Sequence, residues 1–182
     1  MPSPVKDTDV SLQLLPGSGG KASLDEIYRR YCRYVAAVIV RIDGRATDVD
    51  DLVQDTFVEA AAGIEQLRDP AAIKGWLATI AVRVVRRRLR ARRFWRFLGF
   101  ERQIDTSNLV DPAASPVDRL LLRSVYRVLD DMPAEERIAF CLHTIEGETV
   151  EAVADLCGCT YATAKRRVAR AQRQIDERLS DV

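Results

Sequence analysis

Three observations predict an all-α chain made of two small helical domains joined by a flexible linker, the C-terminal one a helix-turn-helix. Apolar residues recur at three- and four-residue intervals through most of the 182 residues, the spacing of a helix with one buried face. No segment alternates apolar and polar residues between turn signals, as a half-buried strand would. The stretch ERQIDTSNLVDPAASP breaks the periodicity with polar residues, Pro112 and Pro116, and reads as a linker. The expected organisation is a flexible leader over 1–20, a helical domain over 21–99, the linker over 100–117 and a second helical domain over 118–182.

The leader ends in PGSGG and has little periodicity. After Ser23, a candidate cap, Leu24, Ile27, Tyr31, Tyr34, Val35 and Val38 mark one face of a first helix. Asp48 to Ile64 forms a second, and Ala71 to about Arg93 a third, its start signalled by Asp69-Pro70. Beyond the linker, VDRLLLRSVYRVLDDM, PAEERIAFCLHTI, TVEAVADLC and YATAKRRVARAQRQIDERL each carry the helical period.

With 47% hydrophobic and 30% charged residues the chain can build a core. Its net charge of +1 averages strongly acidic and strongly basic segments. No run of about 18 apolar residues is present, and no basic stretch precedes an apolar N-terminal core, so neither membrane insertion nor a signal peptide is expected. The expected location is cytoplasmic. Cys32, Cys141, Cys157 and Cys159 are too few and too unevenly placed for a disulfide scaffold.

In TDVDDLVQDTFVEA, Val49, Leu52, Val53, Thr56, Phe57 and Ala60 gather on one helix face, with Asp48, Asp51, Asp55 and Glu59 as a stripe beside it. No Lys or Arg four residues away offsets their repulsion. A solvated acidic face near a helix N-terminus is one reading. Magnesium chemistry through the carboxylates is another, but it lacks a second acidic cluster and a phosphate-cradling glycine loop.

The third helix continues as WLATIAVRVVRRRLRARRFWRF, where Arg83, Arg86, Arg87, Arg88, Arg90, Arg92, Arg93 and Arg96 occur without one acidic residue. Such a run repels itself unless a polyanion neutralises it. With Trp76, Phe94, Trp95 and Phe97 available for stacking, it suits a nucleic-acid surface, although the aromatics could equally be core.

In TVEAVADLCGCTYATAKRRVARA, Gly158 supplies a turn, Thr160 caps a helix from Tyr161, and Ala154 and Ala164 are small where two helices must cross. That is helix-turn-helix spacing. Tyr161, Thr163, Lys165, Arg166, Arg167 and Arg170 are residue types that contact base edges or phosphates. Cys141, His143, Cys157 and Cys159 lack the usual zinc-ligand spacings. No metal, cofactor or catalytic residue is expected.

DVDDLVQDTFVEA, then GWLATIAVRVVRRRLRARR, a linker, and DDMPAEERIAFCLHTIEGETVEAVADLCGCTYATAKRRVARAQRQI together resemble a bacterial extracytoplasmic-function sigma factor of the sigma-70 family. The resemblance spans Leu24 to Leu179 and rests on the order of three motifs. It implies that Asp51, Gln54 and Asp55, assisted by Asp48, dock on the clamp helices of the RNA polymerase β′ subunit. It implies that the segment from Ile64 to Lys74 and the following helix, with Lys74, Trp76, Arg83, Arg86, Arg87 and Arg90, captures the promoter minus-ten element as a single strand. The chain departs from the pattern at Val82-Arg83, where the family commonly has Asn. The helix from Tyr161 would read the minus-thirty-five element, and an anti-sigma factor is an implied partner. A dimeric helix-turn-helix regulator would explain the last module but leave the acidic stripe and arginine helix without roles.

Overall fold

The computed structural model describes residues 24–45, 47–67, 69–99 and 115–180. Ser23, the leader and most of the linker lie outside the described residues. Seven α-helices occur among them, with no strand.

Helices α1 (Leu24–Asp43), α2 (Val49–Gly63) and α3 (Ile73–Phe97) pack against one another as the N-terminal module. Asp25 and Glu26 in the first turn of α1 and Arg41 in the last oppose its dipole in the favourable sense. Val35, Ile39 and Ile42 meet Leu77, Ile80 and Val84 in a core from which water is excluded. Two short 3₁₀ turns, Ile64–Gln66 and Pro70–Ala72, join α2 to α3. The Asp69 carboxylate accepts from the Ala71 N–H at 2.9 Å. The third helix therefore begins at Ile73, two residues after the position expected from the Asp69-Pro70 signal, because that cap serves the 3₁₀ turn instead.

The C-terminal module comprises α4 (Pro116–Asp131), α5 (Ala134–Phe140), α6 (Val150–Cys157) and α7 (Tyr161–Leu179). Helix α4 starts inside the segment read as linker. Ser115 and Asp118 form a reciprocal capping box, and Pro116 occupies the first turn, where its missing N–H costs nothing. A π-helical turn, Cys141–Ile145, follows α5 directly. Thr149 and Thr160 cap α6 and α7 through side-chain oxygens.

Gly158 ends α6 at φ 63°. Only glycine takes this left-handed conformation without steric cost, and it turns the chain into α7. Ala154 and Ala164 are buried where α6 and α7 cross, Ala171 is buried further along α7, and Cys157 fills the same core.

The modules touch: α3 packs on α5 and α6, and the π-helical turn packs on α1. This places the arginine helix between the two modules.

Candidate polymerase and nucleic-acid interfaces

On α2 the acidic stripe is not uniformly in solvent, contrary to its reading from the sequence. Asp48 pairs with Arg88, and Glu59 meets Arg87 at 2.5 Å and Arg83 at 3.6 Å. The neutralising cations come from α3, not from the same helix, so an i,i+4 search could not find them. Asp51, Gln54 and Asp55 remain exposed.

With a helix advancing ~100° per residue, the exposed arc of α2 runs from this α3-bound edge through Asp55, Asp51 and Val58 to Gln54 and Asp50. There it meets a groove of ≈ 550 Å³ between α1 and α2, lined by Leu24, Asp25, Tyr28, Asp50, Gln54 and Phe57 among others. Tyr28 stands edge-on to Phe57 with ring centroids 4.9 Å apart. Val58 is 63% exposed at the centre of the arc. Asp25 and Tyr28 escaped the sequence reading because they lie on another helix, Asp50 because it falls outside the stripe's three- and four-residue spacing, and Val58 because it is apolar and the stripe was defined by its carboxylates.

The arginines of α3 divide by direction. Arg83 and Arg87 face Glu59 on α2. Arg86 donates to the Cys157 carbonyl at 2.9 Å, and Arg90 donates through Nε to Glu135 at 3.1 Å. Burial opposes ionisation of Glu135, but the hydrogen bond and charge of Arg90 outweigh it and hold its pKa below the ordinary value. Thus the run that would repel itself in isolation is compensated by carboxylates and carbonyls of other elements.

Lys74 sits over the Tyr34 ring at 4.8 Å. Trp76 is half-buried, and a Cβ on Gly63 would lie 3.2 Å from its Cζ2. Phe94, Trp95 and Phe97 are exposed, Phe97 at 86%. The structure therefore separates the aromatics into one that packs and three that face water.

On α7, Tyr161, Lys165, Arg166 and Arg170 are exposed, and Arg167 is half-buried. Thr163 is engaged locally: its N–H donates to Thr160 Oγ1 at 3.3 Å and its hydroxyl accepts from the Thr160 hydroxyl at 3.0 Å. Arg170 lies 3.7 Å from Glu136. An exposed helix start bearing a tyrosine, a lysine and arginines, held by a second helix through a tight turn, has the shape and charge to enter a major groove.

Among the described residues no three His, Cys, Asp or Glu side chains converge as metal ligands. Cys141 is buried, and His143 Nδ1 lies 2.8 Å from the Glu148 carbonyl within its own turn. No described helix is long and apolar enough to cross a membrane.

These two modules, an acidic and arginine-rich three-helix unit followed by a helix-turn-helix, define a two-part helical protein of the DNA-binding type. Residues 27–94 match the family model of sigma-70 region 2, and residues 122–175 match that of sigma-70 region 4. The chain is 26% identical to the ECF RNA polymerase sigma-E factor of Haemophilus influenzae, over 94% of this chain and 95% of that protein. It is 25% identical to the ECF RNA polymerase sigma factor SigE of Mycolicibacterium smegmatis, over 96% of this chain and 69% of that one. Among solved structures it is similar to the sigma factor RpoE in complex with the anti-sigma factor NepR from Bartonella quintana, with a TM-score of 0.63, 26% identity, and coverage of 86% of this chain and 96% of that one. It also shares the fold of CnrH in complex with the cytosolic domain of CnrY, with a TM-score of 0.60, 24% identity, and coverage of 90% and 91%.

The chain belongs to the sigma-70 family, in its extracytoplasmic-function branch. It acts as an RNA polymerase sigma factor in promoter-directed transcription initiation, with core polymerase and promoter DNA as partners, and it is not an enzyme.

Proposed function

We propose that the exposed arc of α2 is the surface that docks on the β′ clamp helices of core polymerase. Asp51, Gln54 and Asp55 supply the polar contacts, and the groove between α1 and α2 receives apolar side chains. Asp48 acts through its ion pair with Arg88, which fixes α2 against α3. The observation that carries this reading is the selective exposure: Asp51, Gln54 and Asp55 stay exposed while Asp48 and Glu59 pair with α3, and Gln54 lines the open groove together with Asp50 and Val58. Charged rims steer encounter and apolar centres hold it.

In the same reading, the N-terminal module over 21–99 takes the minus-ten element as a single strand with Lys74, Trp76, Arg83, Arg86, Arg87 and Arg90. The C-terminal module over 118–182 takes duplex minus-thirty-five DNA with Tyr161, Thr163, Lys165, Arg166, Arg167 and Arg170. Arg83 stands where the family commonly has Asn, and its exposed guanidinium supplies a phosphate or stacking contact there. The working compartment is the cytoplasm, where polymerase is. An anti-sigma factor is a further partner, by analogy with RpoE, which was solved with NepR.

Gel filtration with purified core polymerase tests the docking surface. The wild-type chain co-elutes, whereas Asp51→Arg combined with Asp55→Arg does not, with circular dichroism unchanged. Undiminished co-elution of that variant would remove α2 from the interface.

A further inference from the structure

Four guanidiniums, those of Arg92, Arg93, Arg96 and Arg137, line a half-enclosed cavity of ≈ 20 Å³ where the end of α3 meets α4 and α5. On α3, Arg92 and Arg96 stand one turn apart on a shared face, with Arg93 beside them. Arg137 enters from α5. Asp130 is the acidic residue of the wall, and buried Leu89 and Leu129 complete it on the apolar side.

Ion pairing leaves this cavity short of negative charge. Five guanidiniums, of Arg45, Arg92, Arg96, Arg137 and Arg178, share the three carboxylates of Asp43, Asp130 and Asp131. Arg93 is exposed and has no ion pair among the described residues. Arg137 is 2% exposed and the Arg92 side chain 16%, so solvent screens neither well. Burial pulls the Arg92 guanidinium below its ordinary pKa; Asp43 opposes the shift, and Arg45 and Arg137 add like-charge repulsion to it. An anion held here would relieve that repulsion in surroundings where charges interact more strongly than in water.

We propose that this cavity binds the terminal phosphoryl group of a small phosphorylated metabolite. Size and charge both select that group. One water needs ~10–15 Å³ of such space, and ≈ 20 Å³ accommodates the oxygens of one phosphoryl group but no ring or base. A terminal phosphoryl group carries about −1.5 to −2 charge at pH 7, which offsets the unmatched guanidiniums. A backbone diester carries a single charge and needs room for two ester arms. The donors also divide by task. Arg92 and Arg137 are committed to Asp43, Asp130 and the Ile42 carbonyl and supply the field. Arg93 and Arg96 stand at the solvent side, where planar forks of N–H donors suit phosphoryl oxygens.

The test titrates the full chain with inorganic pyrophosphate, without metal ions and at constant ionic strength, by isothermal calorimetry and thermal unfolding. Dimethyl phosphate serves as the diester analogue. Pyrophosphate should bind saturably at one site and raise Tm with its concentration, and dimethyl phosphate should do neither. Arg93→Glu places a carboxylate at the cavity and should abolish binding; the position is exposed, so circular dichroism should be unchanged. Arg96→Ala should weaken binding about tenfold. Arg166→Ala, on the exposed face of α7, should bind as wild type.

Absence of saturable binding to the wild-type chain, or binding indifferent to both Arg93→Glu and Arg96→Ala, would overturn the site. Binding lost in Arg166→Ala but kept in Arg93→Glu would move the anion to α7 and overturn it equally. Dimethyl phosphate binding as well as pyrophosphate would make the ligand a backbone diester and overturn the metabolite.

Discussion

Replacing Arg137 by Ala should cost far more stability than any other single arginine pair in the chain suggests. The side chain is 2% exposed and serves three acceptors: the Ile42 carbonyl, the Asp43 carbonyl and the Asp130 carboxylate. Removing it takes the Arg137 donor from the Ile42 carbonyl and leaves the Asp43 carbonyl with only a long 3.4 Å bond from Arg92, at about 1–3 kcal/mol for an unmatched carbonyl, and breaks a buried ion pair, for which about 3–5 kcal/mol is typical. These costs overlap, because Asp130 keeps Arg45 and Arg92. A net loss of about 4 kcal/mol is expected, a fall in Tm of about 8–16 °C for a chain of this size. Arg90→Ala removes a guanidinium that is 66% exposed from its pair with Glu135, and should cost less than about 1 kcal/mol. Urea unfolding followed by circular dichroism compares the two variants. Equal losses for Arg137→Ala and Arg90→Ala would refute the argument that burial and acceptor number set the cost.

The Asp130 carboxyl is opposed by burial but held below its ordinary pKa by Arg137 first, then Arg45 and Arg92. A carboxyl depressed on folding stabilises the protein above its unfolded value, and that contribution fades as pH falls from about 4 through the folded value. Stability should therefore drop below about pH 4, and in Arg137→Ala, where the folded carboxyl loses its strongest depressing charge, the drop should be smaller; identical acid profiles would contradict the coupling. Burial pushes the Cys141 thiol up to about 12, so it should resist alkylation at pH 8 until the chain unfolds, while half-buried Cys32 reacts in the native state, as peptide mapping can show. Arg166→Ala with Arg170→Ala should weaken promoter binding and flatten its dependence on salt by about one unit of slope for each phosphate no longer neutralised, and an unaltered slope would argue against a phosphate role. Gly158→Ala should cost about 1–2 kcal/mol in thermal unfolding, since alanine pays the left-handed penalty that glycine escapes.

Local chemistry made much of the fold legible before any coordinates. Thr160 as a cap, Gly158 as a turn and the small residues Ala154 and Ala164 at a crossing are short-range signals, and each is where spacing placed it. The start of α4 was misplaced within the linker because Pro116 reads as a breaker unless Ser115 and Asp118 are recognised as a capping box around it. The end of α5 was legible as helix, but not its π-helical turn, whose i→i+5 bonding has no periodic signature in so short a span.

The acidic stripe shows the boundary within the candidate site. Asp51, Gln54 and Asp55 are exposed because helical geometry alone turns them from the apolar face, a property of the sequence and its ~3.6-residue period. Asp48 and Glu59 share that spacing and yet are paired, because α3 happens to lie beside them. Which arginines stay available was likewise unreadable: Arg86, Arg90, Arg92 and Arg96 reach residues of the other module, whereas Arg83, Arg87 and Arg88 face α2 or its N-terminal end.

Sequence by itself determined the helices, the order of the modules and the family, since caps, turns and hydrophobic period act over a few residues. Tertiary structure alone decided that Asp43, Arg45, Arg92, Asp130 and Arg137 meet, from positions far apart in the chain. Charge pairing and helix capping across modules depend on how rigid bodies dock, and no local pattern encodes that distance.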